Sequence, residues 1–223
     1  MKLAIVGYGK MGRMIDGLAP EYGFSVHARI DAGDDIGAAR GADVAIEFST
    51  PEAVVGNVEK LAALGLPVVV GTTGWLAEME RVRAAIEASG TGLVWSPNFS
   101  IGVNVFSRLV REAARLLAAE AQYGAWAWEI HHHTKKDAPS GTLIKLVNEM
   151  KSAGFERAID VGSNRAGAHP GTHEVGFDSA ADTITLRHSA RSREGFARGA
   201  LKAAGWVVGK KGLFEFGEVL FAG

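Results

Sequence analysis

The sequence lacks cysteine, an excess of charge of one sign and a long uninterrupted apolar run. Without cysteine, disulfides, thiolate metal sites and cysteine nucleophiles are excluded. Lys and Arg number 24 against 25 Asp and Glu, so a net charge of −1 gives no basic field to attract nucleic acid. The longest apolar stretch is broken by Gly65 and Pro67, whereas a membrane span needs ~20 residues. Only four apolar residues precede Gly7, too few for a signal peptide, so we expect a cytoplasmic protein with no membrane or nucleic-acid partner.

Apolar segments and helical patterns alternate over the first hundred residues. Aliphatic runs at 3–6, 24–30, 44–46, 66–70 and 93–95 read as strands. Helical patterns separate them, and one is predicted to run from Pro51 to about Leu64. This alternation predicts an α/β fold with a Rossmann-like, doubly wound parallel sheet whose strand-end loops share one edge.

The pattern changes after about residue 100. A long helix over about 103–121 is followed by a segment of period two at 126–133 and by strands at 173–178 and 183–190. Such a pattern is typical of a smaller antiparallel α+β domain. We predict a first domain at 1–100, a second domain at 101–197 and a C-terminal tail, 198–223, that returns to the first domain.

The first strand is followed by a glycine-rich loop. Gly7, Gly9 and Gly12 fit the pattern G-x-G-x-x-G, which lets backbone N–H groups approach a pyrophosphate at a helix N-terminus. Asp31 follows about 20 residues later, where a carboxylate binds the ribose of NADH and repels the 2′-phosphate of NADPH. A tight turn for another ligand and a turn role for Asp31 are the alternatives, and Arg29 near the same ribose would favour the phosphate. The pattern favours a nicotinamide dinucleotide, NADH before NADPH.

Residues 129–142 read E-I-H-H-H-T-K-K-D-A-P-S-G-T. Strand alternation puts His131 and His133 on one face and His132 on the other. We expect no carboxylate or thiolate ligand beside them, so the sequence predicts no metal site. Imidazoles close to Lys135 are better suited to acid–base chemistry.

Ser140, Gly141 and Thr142 begin a helix with apolar periodicity. Free N–H groups at a helix N-terminus bind anions such as carboxylates. Simple N-capping by Ser140 or Thr142 is the alternative. Because Lys135 and the histidines are adjacent, an anionic small-molecule site is favoured.

The spacing E-x-H-x-x-x-K-x-D-x-P-S-G-T resembles the signature of the 4-hydroxy-tetrahydrodipicolinate reductases, also called dihydrodipicolinate reductases. Other blocks agree in order, at residues 7–13, 71–74, 98–104, 165–167 and 171–173. The resemblance implies an NAD(P)H-dependent oxidoreductase that reduces a small cyclic dicarboxylate in the diaminopimelate route to lysine. It also implies a dinucleotide-binding first domain and a second domain that binds substrate and mediates a homotetramer.

The resemblance also assigns roles to single residues. It implies that His131 is the acid–base histidine and Lys135 the proton donor. Substrate-binding residues would be His132, Ser140, Gly141 and Thr142. Cofactor-binding residues would be Gly7, Tyr8, Gly9, Lys10, Met11, Gly12, Asp31, Gly71, Thr72, Thr73, Ser96, Pro97, Asn98 and Phe99. A related imine or amino-acid dehydrogenase and a catalytically silent nucleotide-sensing homologue are the competing functions.

Overall fold

The computed structural model describes residues 1–221, which form two compact units. The first comprises Met1–Ile101 and the described part of Arg193–Gly223, and the second comprises Gly102–Ser192. The chain re-enters the first unit at Arg193 and not at 198, because the whole of the following helix belongs to that unit. The end of the predicted tail, residues 222–223, lies outside the described residues.

The elements are numbered in chain order. The strands are β1 Lys2–Val6, β2 Ser25–Ile30, β3 Val44–Glu47, β4 Val68–Val70, β5 Gly92–Trp95, β6 Gly124–His131, β7 Ile159–Arg165, β8 Thr172–Asp178, β9 Thr183–Ser189 and β10 Gly212–Glu215. The α-helices are α1 Lys10–Leu18, α2 Val54–Ala63, α3 Met79–Ser89, α4 Ile101–Leu117, α5 Gly141–Ser152, α6 Glu194–Val207 and α7 Phe216–Phe221.

The first unit contains the predicted doubly wound sheet. Within residues 1–221 its strand order is β10-β5-β4-β3-β1-β2, and every neighbouring pair is parallel. Alternate residues of β1 explain the two layers of helices: Leu3 and Ile5 pack with α1 and α6, whereas Ala4 and Val6 pack with α2 and α3. The fold class predicted from the alternation is confirmed, and the C-terminal segment adds a sixth strand, β10, beside β5.

The helix predicted to begin at Pro51 begins three residues later. Residues 51–53 form a turn in which the N–H groups of Ala53 and Val54 both bond to the carbonyl of Thr50 at 3.1 Å. The prediction of a start at Pro51 was wrong because this turn comes first and α2 starts only at Val54.

The second unit is built on a four-stranded sheet in the order β7-β6-β8-β9, counted within residues 1–221. Helices α4 and α5 pack on one face, where Val110, Leu146 and Phe177 form part of the core. The sheet is mixed and not purely antiparallel, because β7 pairs parallel to β6. The sequence did not predict β7, since its polar residues and largely exposed side chains give little hydrophobic signal.

Helix α4 is amphipathic. Val110 and Ala114 are buried, whereas Leu109 and Leu116 are exposed. Among residues 1–221, no helix combines the length and apolar composition needed to cross a bilayer.

Candidate active site

The predicted cofactor residues follow four strands of the parallel sheet. Residues 7–12 follow β1, Asp31 follows β2, residues 71–73 follow β4 and residues 96–99 follow β5. Parallel strands present their carboxyl ends at one edge of a sheet, and the strand order reverses between β1 and β3. The structure therefore brings these loops to the same edge, at the point where α/β sheets bind ligands.

The three glycines of the first loop have different surroundings. Gly7 has φ +87°, and a Cβ there would collide with the carbonyl oxygen of Phe48. A Cβ at Gly12 would collide with the carbonyl oxygen of Gly7. A Cβ at Gly9 would meet no atom within 4 Å. Packing therefore requires glycine at positions 7 and 12, whereas the space above Gly9 is open to a ligand.

The N-terminus of α1 also suits an anion. Gly9 is its N-cap residue and offers no side chain, and the first turn carries no acidic residue. Within residues 1–221, no group accepts a hydrogen bond from the N–H of Lys10, Met11 or Gly12. These N–H groups and the positive end of the helix dipole fit a dinucleotide pyrophosphate.

Asp31 is exposed at the end of β2. Its Oδ1 accepts the N–H of Ala32 at 3.0 Å, and its own N–H bonds to Asp34 at 2.8 Å. Across the described chain, no residue pairs with Asp31 in a salt bridge or bonds to its Oδ2. One carboxylate oxygen is thus open to a ribose hydroxyl.

Glu47, at the end of β3, is a fully buried carboxylate to which the sequence assigned no role. It accepts hydrogen bonds from Thr72 Oγ1 at 2.6 Å, from Asn57 at 3.2 Å and from the hydroxyl of Ser49. Burial raises the pKa of Glu47 against these hydrogen bonds, which lower it. Glu47 fixes the loop after β4 through Thr72.

The loop after β5 is stabilised by a hydrogen bond within it and by one buried aromatic ring. Ser96 donates its hydroxyl to the carbonyl of Asn98 at 2.9 Å. The ring of Phe99 is buried and lies 4.9 Å from that of Phe216, measured between centroids. Phe99 therefore supports the loop from the core. Pro97 is the residue of this loop whose side chain is exposed.

In the second unit, strand register collects polar side chains on one face of the sheet. Glu129 of β6 lies opposite Ser163 of β7 and His173 of β8, and His131 lies opposite Arg165. Alternate residues of a strand share a face, so these five side chains lie on the face that packs with α5.

Glu129 is the centre of this cluster and is fully buried. Its Oε1 accepts from Ser140 N at 2.9 Å, Ser163 Oγ at 2.9 Å and Arg165 Nη2 at 2.8 Å. Its Oε2 accepts the hydroxyl of Ser140 and lies 3.3 Å from His173 Nε2. Burial raises the pKa of Glu129, but the bonds from Ser140, Arg165 and Ser163 outweigh burial and lower it to about 2.

His131 lies above this carboxylate and is nine-tenths buried. Burial lowers its pKa, and the positive charges of Lys135 and Arg165 lower it further, although Glu129 opposes them. Its ring is therefore neutral at pH 7. A Cβ at Gly171 would lie 3.0 Å from Nε2, so glycine lets the main chain pass close to this edge of the ring.

His173 is the second histidine of the cluster, with its ring centroid 5.1 Å from that of His131. Burial and the neighbouring His131 lower the pKa of His173 to about 4. The neutral imidazole can donate from Nε2 to Glu129.

The predicted alternation of three histidines was wrong, because β6 ends at His131. The chain turns there, and the N–H of Lys135 bonds to the carbonyl of His132 at 3.1 Å. His133 directs Nδ1 to the carbonyl of Gly167 at 2.8 Å. Nδ1 of His132 forms a hydrogen bond with Thr134 Oγ1 at 2.7 Å. The second ring nitrogen, Nε2, is the one that His132 can offer to a ligand.

Lys135 is held by a carboxylate two residues away. Its Nζ donates to the two oxygens of Asp137 at 2.8 and 2.9 Å. Arg165 in turn donates to the main-chain carbonyl of Asp137 as well as to Glu129. Arg165 and Asp137 therefore link the buried Glu129 to the Lys135 ammonium, Arg165 through the main chain of Asp137 and Lys135 through its carboxylate.

The N-terminus of α5 is capped by Ser140, which is the alternative that the sequence left open beside an anion site. The hydroxyl of Ser140 accepts from Leu143 N at 3.2 Å and donates to Glu129, so it is fully used inside the protein. Gly141 is exposed, and in residues 1–221 no acceptor bonds to the N–H of Gly141 or Thr142. These two N–H groups and the Thr142 hydroxyl are the groups that this helix end presents to an anion.

Glu129, His131 and His173 also place three ligand-type atoms within 4.8 Å of one another. The expectation that no carboxylate lies beside the histidines was therefore wrong. The same carboxylate, however, carries the Arg165 cation at 2.8 Å and the Ser140 hydroxyl. A dication at Oε2, the oxygen that faces both histidines, would displace the Ser140 hydroxyl and be repelled by the Arg165 cation on Oε1, so the arrangement suits a hydrogen-bonded anchor.

Glu129, Arg165 and His173 had no predicted role. The spacing E-x-H was the available signal for Glu129, because a period of two puts it on the same face as His131. Arg165 and His173 come to the cluster only through strand pairing, which the sequence did not predict for β7.

Comparisons with known proteins agree over the whole chain. Residues 1–99 match the family described as dihydrodipicolinate reductase, N-terminus, and residues 102–220 match dihydrodipicolinate reductase, C-terminus. A 4-hydroxy-tetrahydrodipicolinate reductase of Christiangramia forsetii is 35% identical over 235 aligned residues, covering 99% of this chain and 98% of the relative. One of Ralstonia nicotianae is 36% identical over 266 aligned residues, covering 99% of each.

A solved structure shares the fold. The dipicolinate-bound dihydrodipicolinate reductase from Paenisporosarcina sp. TG-14 superposes with a TM-score of 0.78 at 21% identity, covering 96% of this chain and 97% of that one.

Proposed function

The chain belongs to the dihydrodipicolinate reductase family, and we propose that the Glu129 cluster and the N-terminus of α5 form the substrate site of its reductase activity. The protein is an NAD(P)H-dependent oxidoreductase that reduces 4-hydroxy-tetrahydrodipicolinate in the diaminopimelate route to lysine. The observation that carries the assignment of residues is the double contact of Arg165, which ties the carboxylate below His131 to the residue that holds Lys135.

The substrate is proposed to bind through its carboxylates. The free N–H groups of Gly141 and Thr142 lie at the positive end of α5 and suit one carboxylate. His132 Nε2 is available for another contact. Ser140 positions this helix end through Glu129 and does not itself need to touch the substrate. The dipicolinate bound to the Paenisporosarcina relative has two carboxylates on one ring, which supports a small cyclic dicarboxylate as the ligand.

Lys135 and His131 are proposed to handle protons. When bound, the reduced nicotinamide supplies the hydride that the substrate carbon accepts. The substrate hydroxyl leaves as water together with a hydrogen of the neighbouring ring carbon, and the conjugated imine that remains takes the hydride and one proton, which the Lys135 ammonium donates. Neutral His131 accepts a hydrogen bond, or takes a proton from solvent and passes it to the neutral Lys135 amine. Asp137 keeps the ammonium in one place through both of its oxygens.

The cofactor is proposed to bind at the edge of the first sheet. The open space above Gly9 and the free N–H groups of α1 support a pyrophosphate site. Residues 71–73 and 96–98 are proposed to line the nicotinamide. The available oxygen of Asp31 favours NADH over NADPH, because it accepts a ribose hydroxyl and repels a 2′-phosphate.

A homotetramer is proposed to form through the second sheet. The face opposite α4 and α5 carries Trp126 and Trp128, which contact Gly176 and Gly162 and remain partly exposed. Aromatic side chains on an uncovered face are typical of subunit interfaces. Light scattering on the purified protein tests the assembly, and Trp126→Glu should lower the mass to that of a smaller species.

Calorimetric titration with dipicolinate tests the substrate site. Thr142→Val removes one hydroxyl at the helix end and should weaken dipicolinate about tenfold while NADH binding is unchanged. Thr185→Val, on exposed β9, is the matched control and should bind like the wild type. Equal dipicolinate affinity in Thr142→Val and the wild type would remove Thr142 from the site.

A further inference from the structure

Arg29 is the second-to-last residue of β2 and forms a salt bridge with a carboxylate of α1. Its Nε donates to Asp16 Oδ2 at 2.7 Å and its Nη2 to Asp16 Oδ1 at 2.9 Å. Both carboxylate oxygens are used, in the two-bond geometry that fixes a guanidinium most firmly. Arg29 therefore has a defined place, although about half of its side chain is exposed.

The same carboxylate also binds the glycine loop. Tyr8, within G-x-G-x-x-G, donates its hydroxyl to Asp16 Oδ2. The guanidinium carbon of Arg29 lies 5.9 Å from the centroid of the Tyr8 ring. The hydrogen bond from Arg29 lowers the pKa of Asp16, so the carboxylate is charged at neutral pH. Arg29 thus lies beside the cofactor loop with its charge compensated.

A 2′-phosphate on the adenosine ribose needs a cation that is free to bind it. Arg29 precedes Asp31, the proposed ribose ligand, by only two residues, so it is a cation that β2 itself brings towards the ribose. Arg13 lies on Tyr8 as well, with its guanidinium carbon 5.9 Å from the ring centroid. Arg13 stays unchanged in every variant below, so differences between variants report on Arg29.

We propose that Asp16 is a specificity-determining residue for the cofactor: by holding Arg29 against α1, it keeps this guanidinium from a 2′-phosphate and so favours NADH. The inference rests on the proposed function, in which residues 7–12 and Asp31 hold the adenosine half of the cofactor. Asp16 acts through Arg29 and need not touch the cofactor.

Two probes isolate the 2′-phosphate without any turnover. Adenosine 5′-monophosphate and adenosine 2′,5′-bisphosphate differ only in that group, and calorimetry gives the affinity of the full-length enzyme for each. In Asp16→Asn, the affinity for the bisphosphate relative to the monophosphate should rise about five- to tenfold. The double variant Asp16→Asn/Arg29→Ala should return to the wild-type ratio, because the released cation is gone.

Glu59→Gln is the matched control. Glu59 binds Arg81 through both oxygens, at 2.6 and 2.8 Å, in another exposed pair of the same unit. Loss of the Glu59–Arg81 pair should leave the ratio of bisphosphate to monophosphate affinity unchanged. Thermal unfolding of each variant verifies that it is folded, and Asp16→Ser replaces Asp16→Asn if the latter is not.

The outcomes separate this inference from the proposed function. The role of Arg29 is overturned if the affinity for the bisphosphate relative to the monophosphate is unchanged in Asp16→Asn. It is also overturned if this ratio rises equally in the double variant. Neither result contradicts the cofactor site itself. Gly9→Val places a side chain in open space and should abolish binding of both probes. If Gly9→Val binds both probes like the wild type, the proposed cofactor site itself is wrong.

Discussion

Ser140 gives both of its hydrogen-bond donors, the main-chain N–H and the hydroxyl, to the buried carboxylate of Glu129. The residue that caps α5 is thereby fixed to the strand that carries His131. In the proposed site, the helix end binds an anion and His131 handles protons, and the two must keep a constant separation because small misplacements cost large factors in rate. Glu129 supplies that constraint from beneath the site.

Glu129→Gln tests this constraint. Loss of the charge leaves Arg165 without its anion and weakens the hold on Ser140, so we expect kcat/KM to fall about 100-fold. The charge of Glu129 also raises the pKa of His131, so its removal should move the acid limb of the pH–rate profile to lower pH. A merely structural role would lower the amount of folded enzyme without moving that limb.

Glu174→Gln is the control for Glu129. Glu174 lies on neighbouring β8 and pairs with Arg187 at 3.6 Å. Its profile should match the wild type. An acid limb at the same pH in Glu129→Gln and Glu174→Gln would contradict the coupling between Glu129 and His131.

His173 should make the protein less stable in acid. Its pKa is lowered from 6.5 to about 4 by burial and by His131, so the native state resists a proton that the unfolded chain accepts. The free energy of unfolding therefore keeps its full value above pH 6.5. Between pH 6.5 and pH 4 the neutral His173 makes it fall by a total of about 3 kcal/mol. Urea unfolding at several pH values measures it, and His173→Gln should flatten the slope between pH 6.5 and 4. A slope as steep as that of the wild type would refute the assignment, and exposed His27→Gln serves as the control.

The sequence predicted those parts of the fold and site that local patterns encode. The glycine loop, the strand-end loops of the first sheet and the start of α5 after Ser140 all depend on residues close together in the chain. The Glu129 cluster could not be predicted in this way, because Ser163 and Arg165 lie 34 and 36 residues from Glu129 and reach it through strand register. A slip of one residue in β7 would turn both side chains to the other face.

The residue at which β6 ends could not be predicted from the alternation of side chains either. An alternating run through His133 gives no sign that pairing stops at His131. The turn is stabilised by partners elsewhere in the chain, such as the Gly167 carbonyl that binds His133. The role of the histidines as hydrogen-bonding and acid–base groups stays a prediction.

Lys135→Met should lower kcat by about 100-fold or more, because the proposed proton donor is removed while the carbon stem remains. Asp137→Asn should lower kcat by a smaller factor, since it leaves the ammonium charged but loosens its position. Lys136→Met, at the exposed neighbouring position, is the control. Steady-state kinetics in which Lys135→Met and Lys136→Met are equally active would exclude Lys135 as the donor.

Asp31→Asn should narrow the preference for NADH. The amide still bonds to a ribose hydroxyl but no longer repels a 2′-phosphate, so the ratio of kcat/KM for NADH to that for NADPH should fall about tenfold. Asp160→Asn, on exposed β7, controls for the loss of one charge. Identical ratios in the wild type and Asp31→Asn would remove Asp31 from cofactor selection.

The most direct test follows nicotinamide absorbance while the preceding synthase generates the substrate from pyruvate and aspartate semialdehyde. NADH and NADPH are supplied in parallel to the wild type and to Lys135→Met. We predict oxidation that requires the synthase, is faster with NADH and is lost in Lys135→Met. Oxidation of neither cofactor by a wild-type protein that binds both, or undiminished oxidation by Lys135→Met, would contradict the account.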